Sequence, residues 1–189
     1  MGSPNAKLVS AAKPVASGAI AFAPLGTSIP TDATTDLPIA FKRLGYVSED
    51  GLTNEVEVDT EDVVAWGGDK VLTIRTSRTE SLGWTFIQVL DVDVLKAVFG
   101  EANVSGTLET GLTILHNNKE LPHGVWVVEM AMTGGIIKRL VVPDGQITEV
   151  GEISYQDGEP VGLEVTLSCF NDAAGNTLYE YMAQAKTQH

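Results

Sequence analysis

A run of carboxylates between residues 49 and 62 is the densest group of chemically capable side chains in the sequence. The run reads EDGLTNEVEVDTED, with seven acidic residues and no basic residue. Carboxylates are the ligands that Ca²⁺ prefers, but an EF-hand loop needs acids at alternate positions, Gly at the sixth and Glu at the twelfth. Asp50-Gly51 and the acids that follow do not have this spacing. The run therefore does not predict a Ca²⁺ site.

The second half of the run alternates with a period of two. Four acids are separated by two valines and a threonine: Glu55, Val56, Glu57, Val58, Asp59, Thr60 and Glu61. In an extended chain, alternate residues point to opposite faces. The pattern therefore predicts an ordered segment that packs its valine face and exposes its acidic face, and it argues against a disordered tail.

Other reactive side chains are scattered. His116 and His123 flank the loop NNKELP, but no third ligand for zinc lies nearby in the sequence. Cys169 lies in a predicted strand, where a buried inert thiol is the ordinary outcome. Asp91 and Asp93 suit the cap and first turn of a helix. Because the motifs of phosphate loops, zinc proteases and serine hydrolases are also missing, the sequence predicts no enzyme, metal or cofactor.

The three tryptophans have different settings. Trp84 and Trp126 fall in predicted strands and are expected to pack in a core or on a sheet face. Trp66 falls in the segment AWGGDK, which has the composition of a loop. A large apolar ring on a loop is often the anchor of an interface. Trp66 is therefore a candidate interface residue.

Composition and charge limit the classes of function. The chain has 189 residues, of which 43% are hydrophobic and 20% charged, as expected of a single folded domain. The net charge of −13 disfavours ordinary nucleic-acid binding and docking on anionic membranes. The apolar stretch VASGAIAFA is short and contains Ser17 and Gly18, so we expect neither a targeting signal nor a membrane helix. The single cysteine excludes an intrachain disulfide and favours a cytosolic origin.

Short runs rich in β-branched and aromatic residues predict a mainly β fold, a β-sandwich or barrel with one short flanking α-helix. The runs are 18–24, 71–78, 81–90, 110–116, 125–133, 136–143, 146–155 and 161–170. Turn sequences separate them at Gly134-Gly135, at Pro143-Asp144-Gly145 and at 156–159. The helix is expected over residues 91–100, where Asp91 begins it and Gly100 ends it.

The sequence predicts one domain with extended ends. Residues 18–170 form the β domain, residues 1–17 a flexible N-terminal arm and residues 171–189 a C-terminal arm. Residues 44–70 are expected to form a long loop. Long segments without regular structure are uncommon in a compact domain unless they have a function.

The first third of the chain resembles a known family. Residues 18–53, GAIAFAPLGTSIPTDATTDLPIAFKRLGYVSEDGLT, are similar to the N-terminal part of the major tail proteins, or tail tube subunits, of long-tailed phages that infect actinobacteria. Trp66 before a strand, the predicted helix at 91–100 and EISYQDGEPVGLEVTLSCF at 152–170 extend the resemblance over nearly the whole chain.

The resemblance implies a structural virion protein. Members of this family form hexameric rings that stack into a hollow tube, the conduit for DNA ejection, with no cofactor and no membrane. It implies as partners further copies of the chain, the tape-measure protein, and tail terminator and distal tail proteins. It also implies assembly in the host cytoplasm and passage of DNA through an acidic lumen without specific binding. We expect strands in 110–142 and 146–170 to line the bore.

Within this resemblance, the long loop and the arms become contacts between subunits. The candidate interface residues are Tyr46, Glu49, Asp50, Glu55, Glu57, Asp59 and Trp66. Two alternatives remain open: a monomeric β-sandwich that binds carbohydrate or acts as an adhesin module, and the tube protein of a secretion or contractile injection system. An enzyme is the least favoured class, because no nucleophile, base or metal cluster is evident.

Overall fold

Antiparallel strands make up most of the regular structure in the computed structural model, which describes residues 4–185. Its strands are β1 (Ala12–Pro14), β2 (Ile20–Pro24), β3 (Lys42–Arg43), β4 (Val47–Val64), β5 (Lys70–Phe86), β6 (Val104–Thr107), β7 (Gly111–Ile114), β8 (Gly124–Met132), β9 (Ile136–Val150), β10 (Leu163–Cys169) and β11 (Tyr179–Gln184). Helix α1 covers Val92–Phe99, and two 3-10 helices cover Ala6–Leu8 and Glu101–Asn103. The prediction of a mainly β fold with one short α-helix is confirmed.

Nine of these strands form one sheet. Its order is β3-β2-β8-β9-β10-β5-β4, with β1 joined to β8 and β11 joined to β9. Strands β6 and β7 form a separate hairpin. Within residues 4–185, β3 and β4 lie at the two ends of the order and do not pair with each other, so the sheet is open and not a closed barrel.

The main core lies between one face of the sheet and α1. Trp126 and Phe86 are its largest fully buried side chains, and Trp84 packs between them. Helix α1 occupies the segment for which the sequence predicted a helix. The Asp91 side chain accepts a hydrogen bond from the Asp93 N–H at 2.9 Å, as expected of an N-cap. Gly100, with φ of 92°, ends the helix in a conformation that side chains disfavour.

A smaller core covers the opposite face of the central strands. Val125, Val127 and Val141 are buried there beneath the loop between β2 and β3 and beneath β11. Residues 124–129 of β8 are consequently buried at every position, which leaves this part of β8 no exposed face. The expectation that strands in this region line a bore is therefore wrong for residues 124–129 of β8, because the subunit itself covers both faces there.

Buried charges hold the loop between β2 and β3 in place. Arg139 donates from Nε to Glu129 Oε1 at 2.9 Å, and Arg43 donates to Glu129 Oε2 at 2.5 Å. The remaining Arg139 nitrogens donate to the backbone oxygens of Asp32 and Thr35 at 2.7 and 2.8 Å. Because a buried carboxylate is costly unless it is paired, this network ties the loop to the centre of the sheet.

The predicted turn at Pro143-Asp144-Gly145 is not a reversal. Strand β9 runs through it from residue 136 to residue 150. The register between β8 and β9 shifts between Gly124 and Trp126, so that Pro143 and Asp144 form a bulge in β9 opposite the single residue Val125. A bulge tolerates the missing N–H of proline. Gly145 is needed for close packing, since a Cβ there would lie 2.9 Å from Trp126 Cδ1.

The structure also corrects the predicted loop and arms. Most of the predicted loop 44–70 belongs to β4, which pairs with β5 from Val47 to Val64. In the N-terminal arm, β1 pairs with β8, and in the C-terminal arm, β11 pairs with β9. Backbone pairing with a distant strand orders all three segments, and local composition does not reveal such a partner. Residues 1–3 and 186–189 of the arms lie outside the described residues.

Candidate assembly surface

The hairpin of β4 and β5 extends beyond the body of the sheet. Strand β10 pairs with β5 only along residues 81–86, whereas the pairing of β4 with β5 continues to Val64 and Lys70. Residues 53–76 are exposed throughout. We call residues 53–80 the projecting hairpin.

The projecting hairpin carries eight large apolar side chains that are at least 40% exposed. They are Val56, Val58, Val63, Val64, Trp66, Val71, Leu72 and Ile74. Single exposed apolar residues are common on protein surfaces, but several close together on one segment indicate an interaction site. The predicted packing of the valine face does not occur within the subunit: Val56 and Val58 are each 49% exposed, because no layer of the described chain covers them.

The register of the two strands assigns each side chain to a face. Residues directly opposite each other in an antiparallel pair share a face. Val56 lies opposite Glu80, and Val58 lies opposite Arg78, on the face that continues into the buried Leu82. We call this the core-side face and the other the outer face. The register shifts between Asp59 and Thr60, where Asp59 lies opposite Ser77 but Thr60 lies opposite Arg75. Nearer the tip, odd-numbered and even-numbered β5 residues therefore lie on the opposite faces from those they occupy at the base.

The outer face combines acidic and apolar residues. Glu55, Glu57, Asp59 and Glu61 follow one another along β4, and the Asp59 carboxylate accepts a hydrogen bond from Ser77 at 2.6 Å. Toward the tip, the exposed apolar side chains of this face are Val63, Leu72 and Ile74. The predicted row of acids on one face of an extended segment is thus present in the structure.

The core-side face contains the basic residues of the hairpin. They are Lys70, Arg75 and Arg78. Near the tip, Asp62 accepts from Lys70 Nζ and from Thr73 Oγ1, both at 2.8 Å. These two contacts hold the pKa of Asp62 below its ordinary value. They also place Lys70, Thr73 and Asp62 on one face, in agreement with the strand register.

A polar cluster ties the base of the projecting hairpin to the body. Glu80 is 8% exposed and accepts hydrogen bonds from Arg78 at 3.0 Å, from Asn54 at 3.4 Å and from Thr177. Burial alone would raise the pKa of Glu80, but these hydrogen bonds outweigh it and hold the pKa below its ordinary value. Nearby Cys169 is buried, which together with the charge of Glu80 raises the pKa of its thiol to about 12 and leaves it unreactive.

The candidate interface residues fall into three groups along β4 and the turn that follows it. Trp66 is fully exposed in the turn at the tip, which is closed by a hydrogen bond from Ala65 N to Asp69 O at 2.8 Å. Tyr46, Glu49 and Asp50 lie at the other end, near the bulged start of β4, and Tyr46 is 71% exposed. Glu55, Glu57 and Asp59 lie between the two ends on the outer face.

Sequence reasoning missed Leu72 and Ile74. Their alternation predicts a half-buried strand, and the strand is present, but no layer covers either residue. The sequence could have indicated this exposure only if the acidic segment of β4 and the apolar segment of β5 had been recognised as paired strands.

The residues considered for chemistry lie in structural settings. His123 Nδ1 is 2.5 Å from Asp144 Oδ1 and its ring packs on Phe170, while the His116 ring packs on Phe99. In the described part of the chain, no three His, Cys, Asp or Glu side chains are grouped as a metal site would need. Among residues 4–185, no helix has the length and apolarity to span a membrane.

Comparison with known proteins identifies the family. A sequence model described as phage tail tube protein matches residues 3–189. The chain belongs to the phage tail tube protein family. This tail tube protein is thus a structural component of a phage tail. No curated protein matches it.

The solved structures similar to this tail tube protein include the tube-terminating cap of the anti-feeding prophage, determined by cryo-electron microscopy. The two chains are 12% identical, with a TM-score of 0.44, and the match covers 84% of this chain and 94% of the cap chain.

Proposed function

We propose that this tail tube protein forms hexameric rings that stack into the tube of a long-tailed phage, the conduit through which DNA is ejected into the host. The observation that carries the proposal is the projecting hairpin with its exposed apolar side chains. Membership of the family establishes a tail component, and the hairpin supplies a surface by which one subunit can hold another.

The exposure of the hairpin supports this role energetically. A two-stranded hairpin alone in water is marginally stable at best, because it lacks a covered apolar face. Covering the eight apolar side chains with a neighbouring subunit would remove their surface from water at about 25 cal/mol per Å². Trp66 at the tip, with its large rigid ring, is the residue best suited to fill a pocket on that neighbour.

The charge of the chain suits a conduit for DNA. With 25 acids against 12 lysines and arginines, the chain lacks the excess of cations that grips phosphates. An acidic lumen would repel the duplex and let it slide. The proposed partners in the virion are the tape-measure protein, the tail terminator and the distal tail proteins. A phage of actinobacteria, assembled in the host cytoplasm, is the proposed source.

The test is assembly of the purified chain, followed by analytical ultracentrifugation and negative-stain electron microscopy. We expect six-fold rings or tubes with a central channel. The variant Trp66→Ala should unfold at the same temperature as the parent chain but assemble poorly. A chain that stays monomeric even with tape-measure protein present, at concentrations of about 100 μM, well above ordinary interface affinities, would overturn the proposal.

A matched control separates Trp66 from apolar residues in general. Tyr155 is 78% exposed and lies outside the projecting hairpin. Tyr155→Ala also removes an exposed ring and should leave assembly unchanged. Equal loss of assembly in both variants would show that the hairpin tip has no special role.

A further inference from the structure

The two faces of the projecting hairpin differ in unsatisfied charge. On the core-side face, Lys70 is paired with Asp62, and Arg78 with Glu80. Arg75 is exposed and forms no ion pair within the described residues. The core-side face therefore presents one cation that is free to meet a partner.

The outer face presents the opposite charge. None of its four acids, Glu55, Glu57, Asp59 and Glu61, has a basic partner in the part of the chain that the structure describes. Like charges at neighbouring positions of one strand repel each other, so a cation from outside would relieve the row. Each face thus lacks the unpaired charge that the other face carries.

Both faces also have apolar side chains beside these charges. Val56 and Val58 are exposed on the core-side face, and Val63, Leu72 and Ile74 on the outer face. Two sheets that pack face to face lie about 10 Å apart with interleaved apolar side chains. Contact between unlike faces would exclude water from both groups and strengthen the ion pairs at its edge.

We infer that the core-side face of one projecting hairpin packs on the outer face of the hairpin of a second copy, with Arg75 against the acidic row at Glu57. The inference rests on the proposed function, since it requires that copies associate. It goes beyond the proposed function by specifying which surfaces of two neighbouring copies are in contact.

Contacts between like faces are disfavoured by the same charges. Outer face on outer face would bring two rows of four acids together, and core-side face on core-side face would oppose two unpaired arginines. Contact between unlike faces uses a different surface on each partner, so the resulting pair keeps one free core-side face and one free outer face. Such a head-to-tail contact continues into a ring or a filament and does not stop at a dimer.

The test uses two single charge reversals, Arg75→Glu and Glu57→Lys, and a mixture of the two variant proteins. Each variant alone sets like charges against each other, and we expect its critical concentration for assembly to rise by about tenfold. The mixture should assemble nearly as well as the parent chain. In alternating order, the cation introduced at position 57 of one variant meets the anion introduced at position 75 of the other, and the next contact is the parental pair of Glu57 and Arg75.

Controls with the same charge changes lie outside the hairpin. Glu109→Lys and Lys119→Glu alter exposed residues and should leave the critical concentration unchanged. Melting temperatures of all variants should match that of the parent chain, because the altered side chains are exposed.

The outcomes separate the inference from the proposed function. If the parent chain forms tubes and both reversals assemble normally, or if the mixture fails to recover, the pairing of faces is wrong and the tube remains. If the parent chain forms no rings or tubes, the proposed function itself fails. The inference is supported if each single variant assembles poorly and the mixture of the two assembles nearly as well as the parent chain.

Discussion

Strand β8 and the projecting hairpin are both extended and both rich in valine, yet one is buried and the other is exposed. Residues 124–129 of β8 are buried at every position, whereas residues 53–76 of the hairpin are exposed throughout. The difference lies in the neighbours: β8 has the main core on one face and the loop between β2 and β3 on the other. The comparison teaches that apolar content does not determine burial, which depends on the layers available.

The largest expected difference between the two regions is in the cost of an alanine substitution. Trp126 is 2% exposed, packs against Phe22 and Trp84, and donates from Nε1 to Gly145 O at 3.2 Å. Trp126→Ala should lower the free energy of unfolding by about 3–5 kcal/mol. Leu72→Ala in the hairpin should change it by less than about 0.5 kcal/mol. Urea unfolding of the monomer, followed by circular dichroism, measures both, and equal losses would mean that the hairpin packs on the body.

The buried charges beneath the loop should produce the next largest effect. Glu129→Ala would leave Arg139, at 3% exposure, without its carboxylate partner. We expect a loss of roughly 3 kcal/mol, at the lower end for a broken buried pair, because Arg43 is partly exposed and can turn toward water. Glu57→Ala, which removes an exposed and unpaired acid, is the matched control. A small loss for Glu129→Ala would show that the network contributes little to holding the loop.

A smaller effect is expected from filling the close approach at Gly145. A Cβ at this position would lie 2.9 Å from Trp126 Cδ1 and 3.0 Å from Val142 Cγ1. Gly145→Ala should therefore cost about 1–3 kcal/mol through overpacking, measured as a lower urea midpoint. An unchanged midpoint would indicate that β8 and β9 can move apart at the bulge.

The smallest expected effect concerns the base of the hairpin and depends on pH. The folded pKa of Glu80 lies below the ordinary value of 4.5, so ionised Glu80 stabilises the fold above that value. This stabilisation should be lost as the pH falls from about 4.5 through the folded pKa. Glu80→Gln should therefore flatten the acid side of the curve of melting temperature against pH. Parallel curves for the parent chain and the variant would exclude Glu80 as a source of the acid dependence.

Local rules were sufficient for some of the fold. Helix α1 begins after Asp91 and ends at Gly100, and both residues cap the helix through contacts with backbone groups close to them in sequence. The alternation of Glu55, Val56 and Glu57 indicated an extended segment with an acidic face, as the structure has it. Long-range pairing was not accessible in this way: β4 was expected to be a loop because its partner strand was not recognised.

The sequence by itself determined the mainly β fold, the position of the helix, the acidic alternation and the resemblance to tail tube proteins, since all of these depend on residue types at short spacing. Only the tertiary structure decided that residues 47–64 form a strand that projects from residue 53 onward, that Leu72 and Ile74 share the outer face with the acids, and that Arg75 lies on the opposite face. The register shift after Asp59 sets that distribution. A shift of one residue moves a side chain to the other face, and no short-range pattern records where it occurs.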